Sequence, residues 1–361
     1  MTTVESSSRT VANSYTAGKL PNWIPWVVLA VSLVVTLGVS VLLGMGTGDI
    51  NWISGIIGGV VLFVLANWIL ALLVEGGRQA KNRLVTSLVT GAFVLALIPL
   101  IWLTVTVLTN GFPTLTNGTF LTQSMRNVVG EGGGALHAIT GTLLITGAAT
   151  LISVPVGLLT AIYLVEYGKG ALARAITFFV DVMTGIPSIV AGLFAFAFFA
   201  LVLDDPGIRF GLGGSVALSL LMIPVVVRSS EEMLKLVPNE LREASYALGV
   251  PKWLTILKIV IPTSIAGITT GITLAIARVI GETAPLLIIS GFTASMNYDL
   301  TADRMMSLPV FVYTQYANPG SDVQPYLDRA WAGALTLILI VMLLNLIARL
   351  VARIFSPKLG R

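Results

Sequence analysis

Residues 52–74 read WISGIIGGVVLFVLANWILALLV, a run of 23 residues without a charged side chain. A helix that crosses the hydrocarbon core of a bilayer needs about 20 mostly apolar residues, so this run predicts a membrane span. Seven further runs are also mostly apolar, at residues 24–44, 84–108, 138–164, 175–203, 213–227, 262–288 and 331–351. The sequence therefore predicts an all-α, polytopic membrane helix bundle of about eight spans.

The composition agrees with a membrane protein. Of the 361 residues, 55% are hydrophobic and 11% are charged, whereas a soluble domain carries about 25% charged residues. This composition excludes a soluble enzyme, a nucleic-acid binder and a disordered scaffold. The chain has no cysteine and only one histidine, His137. A disulfide, a cysteine metal site and a site built from several histidines are therefore excluded.

The basic residues indicate the orientation of the spans. With the N-terminus inside, sixteen of the 21 lysines and arginines fall in cytosolic segments. Arg278 lies within a span, and the outside segments hold Arg126, Arg209, Arg304 and Arg329. Cytosolic loops are enriched in lysine and arginine, so we expect both termini to be cytosolic. The polar residues 1–22 are then expected to form a disordered cytosolic tail.

Two outside segments are long, at residues 109–137 and 290–330. Either they cover the outer end of the bundle, or they form a docking surface for an extracytoplasmic partner. The sequence leaves both alternatives open.

The cytosolic segment 228–261, RSSEEMLKLVPNELREASYALGVPKWLTILKIVI, is too long and too ordered for a simple connection. Pro238 ends one helix, and Asn239 is predicted to be the N-cap of a short second helix. That helix is expected to end at Gly249 in the left-handed conformation, and Pro251 prevents its continuation. Such a capped helix either docks in a groove on a partner or lies on lipid headgroups.

Part of this segment, continued by one residue, resembles the EAA loop of ABC importer permeases: Glu243-Ala244-Ser245, Gly249, Ile259 and Ile261-Pro262. Ser245 replaces the second alanine of the family pattern. In that family the loop is the coupling helix, which seats in a cleft on a cytosolic ATPase. The resemblance implies that Glu243, Ala244, Ser245, Gly249 and Pro251 couple this chain to an ATPase.

Four further segments are similar to the PstA-type permeases of phosphate ABC importers: GALHAITGTLL (134–144), VPVGLLTAIYLVEY (154–167), DVMTGIPSIVAGLF (181–194) and ARVIGETAPLL (277–287). The resemblance covers about residues 85–361, which we interpret as a type I ABC importer permease core containing the coupling-helix loop. Residues 23–84 form an additional N-terminal two-span segment with no assigned function. In it, Gly55 and Gly59 are spaced for close helix packing.

The seventh span contains two charges, Arg278 and Glu282. Placing a charge at mid-membrane costs at least about 2.5–3.5 kcal/mol, so an interaction or a function must offset this free energy. A helical wheel places both charges among small residues, and the isoleucines on a neighbouring face that is predicted to meet lipid. Gly281 and Pro285 also permit a break in the helix.

Two interpretations of these charges remain open. They form a structural ion pair with a neighbouring helix, or they line a path for an anion, with Arg228 as a further candidate. The family resemblance favours the second interpretation. Glu282 would then accept a hydrogen bond from the O–H group of phosphate and repel sulfate, which has none, or it would simply neutralise Arg278 until substrate arrives.

We therefore expect a permease subunit of a phosphate importer in the plasma membrane of a prokaryote. The resemblance implies three partners: a homologous second permease, a cytosolic ATPase dimer and an extracytoplasmic phosphate-binding protein. Because the sequence has no G-x-x-x-x-G-K-[ST] motif, ATP is expected on the partner, with no cofactor, metal or catalytic residue here. Alternatives are a permease for another oxyanion, the sister phosphate permease and an ion-coupled secondary carrier.

Overall fold

A computed structural model describes residues 20–47 and 52–355, and every regular element in these ranges is a helix. The helices are α1 (Ile24–Thr47), α2 (Trp52–Val74), α3 (Gly77–Thr116), α4 (Leu136–Ile162), α5 (Gly170–Thr184), α6 (Ser188–Val202), α7 (Gly211–Lys235), α8 (Asn239–Ala247), α9 (Lys252–Thr255), α10 (Ile261–Val279), α11 (Ala284–Ile289), α12 (Leu308–Ala317) and α13 (Gln324–Phe355). Two π-helical turns, Tyr163–Tyr167 and Ile256–Val260, extend α4 and precede α10. Residues 1–19 of the predicted tail lie outside the described residues.

Seven of the described helices are long and apolar enough to span a membrane, and an eighth span results if α5 and α6 are counted together. The predicted all-α bundle of about eight spans is confirmed. Two of these spans are not continuous helices. The fifth bends by 110° between α5 and α6, at Pro187, because the residue before a proline disfavours the helical conformation. The seventh ends at Val279 and resumes as α11.

The sixth span is longer than predicted. Helix α7 runs over 25 residues, Gly211–Lys235, although the sequence predicted a span over 213–227 only. The predicted span stopped at residue 227 because charged side chains follow near the C-terminal end of the helix: Arg228, Glu231 and Lys235. They bond to one another along the helix, with Glu231 accepting from Arg228 at 2.9 Å and from Lys235 at 2.7 Å. Ion pairs between residues three and four apart stabilise a helix, so these charged residues extend α7 and do not end it.

The chain forms two compact units, which divide between Leu103 and Thr104. In the first unit, α1 packs on α2 at the two predicted glycines. A Cβ atom at Gly59 would lie 2.7 Å from Leu33 Cδ2, and one at Gly55 would lie 2.9 Å from Leu37 Cδ2. The close-packing prediction is confirmed. The predicted domain boundary between residues 84 and 85 lies inside α3. That residues 23–84 are an addition to the permease core stays a prediction.

The second unit is organised around α7, which packs between α4 and α10. Small residues allow both approaches. A Cβ atom at Gly157 of α4 would lie 2.7 Å from Val226 Cγ1, and one at Gly271 of α10 would lie 2.5 Å from Ser229 Cβ. Leu218, Met222 and Val226 of α7 are fully buried in the core between these helices. Helices α4, α7 and α10 therefore form the centre of the unit.

The two long segments that were predicted to lie outside meet at Arg329, which is 3% exposed. Its Nη1 donates to the carbonyl oxygens of Gly130 and Gly132, at 2.6 and 3.0 Å, and its Nε donates to Gln315 at 2.9 Å. Segment 290–330 also contains helix α12, whose first four residues are buried. Arg329 therefore connects the glycine-rich turn to α12 and α13, and its role in this position is structural.

Replacing Gly192 with alanine tests the packing of the broken seventh span. A Cβ atom at Gly192 of α6 would lie 2.5 Å from Pro285 Cα and 3.1 Å from Pro285 O, which are backbone atoms that cannot rotate away. We expect Gly192→Ala to lower the free energy of unfolding by about 1–3 kcal/mol, as overpacking does. The measurement is thermal unfolding of the purified chain in detergent.

The matched control is Gly147→Ala in α4, where a Cβ atom would meet nothing within 4 Å. This change is expected to leave the melting temperature unchanged or to raise it, because alanine favours helices. Equal melting temperatures for the two variants would contradict the packing of α6 on α11.

Candidate functional site

The loop between α7 and α10 contains the predicted short helix, α8. It is followed by Gly249 with φ +77°, where the Gly249 N–H donates to Tyr246 O at 2.9 Å. The left-handed end and the restart after Pro251 are confirmed. The N-cap prediction is wrong by one residue: Pro238 holds the cap position, and Asn239 is the first helical residue. Pro238 is already extended, so the helix begins directly after it without a side-chain cap.

The predicted coupling residues do not all lie on one surface. Glu243, Ala244, Gly249 and Pro251 are exposed, and the neighbouring Leu248 is 83% exposed. An exposed face of this kind leaves room for a partner. Ser245, in contrast, is buried, and its hydroxyl is hydrogen-bonded to the Thr255 hydroxyl at 2.8 Å. Ser245 therefore joins α8 to α9 and cannot itself contact a partner.

Arg242, which the sequence analysis did not single out, anchors α8 to the bundle. Its Nε donates to Glu166 Oε1 at 3.0 Å, its Nη2 to Leu234 O at 2.9 Å and its Nη1 to Val237 O at 2.5 Å. Lys252 donates to the main-chain oxygen of Glu166. Arg242 and Glu166 are largely buried, at 12% and 5% side-chain exposure, so their charges depend on each other. We name Arg242, Glu166 and Lys252 the anchor cluster.

Sequence reasoning could not find the anchor cluster. Glu166 and Arg242 are 76 residues apart, and an arginine in a short surface helix is ordinarily solvated. The available signal was weak: a carboxylate at the end of an apolar span, in the π-helical turn Tyr163–Tyr167. Turns of this type occur frequently at functional sites.

The second candidate site is the break between α10 and α11. Arg278 lies one residue before the end of α10 and is exposed, and Glu282 lies in the break and is partly buried. Among the described residues, neither side chain has an ion pair or a hydrogen bond. Residues 20–47 and 52–355 thus contain no structural ion pair for Arg278 or Glu282. The arginine remains available to an anion.

The predicted isoleucine face is wrong. Ile268 and Val279 of α10 are buried at 1% exposure in the packed core, and Ile272 packs against it. Arg278 instead shares an exposed face with Leu274, one turn earlier. The isoleucines pack inward because α10 is packed against both α7 and α13. The outward face of α10 is the one with Arg278.

Arg228, the other predicted path residue, is already paired. Its guanidinium donates to Glu231 at 2.9 Å and to Asp181 of α5. Its neighbour Ser229 lies under Gly271, which is seven residues before Arg278 on α10. At 1.5 Å per residue, the two arginines lie about 10 Å apart along the helix axis. Arg278, which has no partner among the described residues, and Arg228, which is paired with two carboxylates, thus lie at different heights along the helix axis.

No group of three or more histidine, aspartate or glutamate side chains within residues 20–47 and 52–355 could hold a metal ion. His137 is buried and contacts the Phe311 ring edge-on at 5.7 Å between centroids. Its position in the core is consistent with packing.

Comparisons with known proteins agree on one family. Residues 153–361 match the family "Binding-protein-dependent transport system inner membrane component". Over 276 residues the chain is 49% identical to the phosphate transport system permease protein PstA 1 of Mycobacterium tuberculosis (strain CDC 1551 / Oshkosh), covering 76% of this chain and 89% of that protein. It is 41% identical over 285 residues to PstA of Pasteurella multocida (strain Pm70), covering 78% and 96%.

A solved structure shares the fold. A chain of a bacterial alginate ABC transporter, in complex with an alginate pentasaccharide-bound periplasmic protein, superposes with a TM-score of 0.55. The match covers 78% of this chain and 97% of that one, at 14% sequence identity. At this identity the likeness concerns the helix arrangement only.

Proposed function

The chain belongs to the family of binding-protein-dependent transport system inner membrane components, among the PstA-type permeases, and from this membership we infer its role. It is the transmembrane permease subunit of an ATP-driven phosphate importer and provides the path for inorganic phosphate. The observation that carries the proposal is Arg278, an exposed arginine at a broken intramembrane helix, which has no ion pair with any residue that the structure describes. Arginine binds tetrahedral oxyanions because its fork donates several hydrogen bonds in fixed directions.

Family membership implies partnership with a second permease, an ATPase and a substrate-binding protein. We propose a homologous second permease, a cytosolic ATPase dimer that binds the ATP, and an extracytoplasmic phosphate-binding protein. The exposed face of α10 with Arg278 then faces the second permease across the path, since lipid would leave the charge unsolvated. Both termini are proposed to be cytosolic, from the distribution of basic residues.

The proposed mechanism is alternating access. ATP binding closes the ATPase dimer and displaces α8, because exposed residues of α8 and of the turn after it lie in the cleft of the dimer: Glu243, Ala244, Gly249 and Pro251. The anchor cluster transmits this displacement to the cytosolic ends of α4 and α7, because Arg242 bonds to both. Phosphate then passes from Arg278 toward Arg228, where it competes with Asp181 and Glu231 for the guanidinium. Hydrolysis on the partner resets the spans.

Glu282 is proposed to select phosphate over sulfate. Replacing it with glutamine adds N–H donors and removes the negative charge, so sulfate, which is fully deprotonated, would no longer be repelled. We expect Glu282→Gln to let excess sulfate inhibit phosphate uptake by at least about threefold. Initial uptake rates with and without sulfate, in wild type and variant, provide the test.

The corresponding control is Glu240→Gln, which changes an exposed glutamate in the first turn of α8, far from the break. It is expected to leave sulfate exclusion unchanged. Retained phosphate uptake with unchanged sulfate exclusion in Glu282→Gln would contradict the selecting role and would leave neutralisation of Arg278 as the explanation.

An ion-coupled secondary carrier is the alternative from another class. In proteoliposomes that contain the chain and its copurified partners, we expect phosphate uptake to require ATP on the ATPase side. Uptake that proceeds without ATP and follows an imposed ion gradient would favour the carrier. Uptake of another oxyanion in place of phosphate would retain the permease and change its substrate.

A further inference from the structure

Four arginines fall in the segments proposed to lie outside: Arg126, Arg209, Arg304 and Arg329. Basic residues are under-represented on that side, so each of them calls for an explanation. Arg329 is buried and holds the glycine-rich turn, and Arg126 is exposed on its own loop. Arg209 and Arg304 are different, because they come together although they are 95 residues apart in the sequence.

The side-chain stems of Arg209 and Arg304 both pass close to Gly291. A Cβ atom at Gly291 would lie 3.0 Å from Arg209 Cδ and 3.3 Å from Arg304 Cδ. Gly291 has φ +78°, a conformation that side chains rarely adopt. The glycine thus lets the stems of the two arginines approach each other. We name Arg209 and Arg304 the outer arginine pair.

Backbone hydrogen bonds hold the pair in place. Next to Arg209, the Phe210 N–H donates to Ile289 O at 3.0 Å, and next to Arg304, the Met305 N–H donates to Ser290 O at 3.1 Å. Ile289, Ser290, Met305 and Phe210 are all buried. The convergence on Gly291 is therefore set by a packed core and does not depend on surface loops.

The outer arginine pair forms no ion pair in the described part of the chain. Among the described residues, neither guanidinium has an ion pair or a side-chain hydrogen bond. Of the carboxylates close in the sequence, Asp205 accepts from the Gly207 N–H at 2.9 Å and Asp299 from the Thr301 N–H at 2.8 Å. Asp204 and Asp303 form no ion pair with either arginine in the described part of the chain. Because the stems of the two arginines approach the same glycine, the two cations repel each other, and an anion bound to both removes the repulsion.

The position of the pair fits the start of a path. Arg209 immediately precedes α7, at the end opposite the loop with α8, about 37 Å away for a 25-residue helix. Gly291 follows α11, whose other end adjoins the break with Arg278 and Glu282. One short helix therefore separates the outer arginine pair from the free arginine of the path.

We propose that Arg209 and Arg304 form an outer receiving site, which captures the tetrahedral oxyanion released by the binding protein before it reaches Arg278. This proposal rests on the proposed phosphate import. It assigns the chain a second anion site on the face opposite α8. The ligand is a free oxyanion, and an acidic surface of the binding protein is the competing partner that the test distinguishes.

The test uses the complete transporter in proteoliposomes with phosphate-loaded binding protein, and measures phosphate carried and ATP hydrolysed in the same sample. In the double variant R209Q/R304Q, we expect phosphate carried per ATP to fall at least about tenfold, the loss expected for hydrogen bonds to a charged group. Stimulation of ATP hydrolysis by the binding protein should stay within about twofold of wild type, because docking is intact.

Two controls accompany the double variant. Arg126→Gln removes an isolated outer arginine and should leave the ratio unchanged. R209K/R304K keeps both charges and should retain most of the ratio. Stimulation of ATP hydrolysis that stays near wild type in R209Q/R304Q excludes misfolding as the cause of its loss. An unchanged ratio in R209Q/R304Q would overturn the receiving site. A parallel loss of ATP stimulation and transport would assign the pair to docking and would also overturn it. Wild type that carries no phosphate would instead overturn the proposed function.

Discussion

Replacing Arg278 with glutamine is expected to lower the initial rate of phosphate uptake at least about 100-fold, from the loss of two charge-assisted hydrogen bonds at roughly 1.5–3 kcal/mol each. Arg278 is exposed beside the break after Val279, with no partner among the described residues. Its charge is therefore free for substrate in the resting chain. Arg278→Lys keeps the charge but loses the fork, so we expect an intermediate rate.

The control for this prediction is Arg349→Gln, which removes an exposed arginine near the end of α13. Uptake in this variant should stay within about twofold of wild type, as for a surface substitution. The amount of Arg278→Gln in the membrane is measured alongside by immunoblot. If the variant is present at normal amounts and takes up phosphate normally, Arg278 does not lie on the path.

Arg242→Ala is expected to uncouple the transporter. The substitution removes three bonds from α8 to the bundle and leaves Glu166, at 5% side-chain exposure, without its arginine. Breaking such a buried pair costs about 3–5 kcal/mol, and Lys252, 4.0 Å from Glu166 Oε2, compensates in part. We expect transport to fall at least about 50-fold, since α8 no longer moves together with α4 and α7.

Two measurements check this prediction: phosphate uptake, and the ATPase retained when the chain is purified through an affinity tag. Glu240→Gln is the matched control on the same helix, because Glu240 is exposed and has no ion pair in the described part of the chain. Arg242→Lys should restore part of the uptake, since lysine still reaches Glu166. Full uptake with normal ATPase retention in Arg242→Ala would show that α8 transmits motion without the anchor cluster.

The local signals in the sequence were sufficient for most of the fold. Uninterrupted apolar runs predicted the spans, Gly249 and Pro251 predicted the end of α8, and Gly55 and Gly59 predicted the contact of α2 with α1. Each of these features depends on residues within about two helical turns of each other or on a simple composition. For the same reason Gly281 and Pro285 correctly marked the break after α10.

The features that the sequence could not predict are set by long-range packing. The wheel placed the isoleucines of α10 toward lipid, because it contained no information about α7 and α13, which pack against this helix. Ser245 was assigned to the partner surface, although its partner is Thr255, ten residues away. The outer arginine pair joins two loops through Gly291, and no local pattern marks such a contact.

The central claim is that this chain provides the path for phosphate in an importer. Its most direct test is labelled phosphate uptake at low external phosphate, in cells with and without the chain, and with excess sulfate as competitor. The account predicts uptake that depends on the chain and is not reduced by sulfate. Uptake that is unaffected by loss of the chain, or that sulfate blocks equally well, would contradict it.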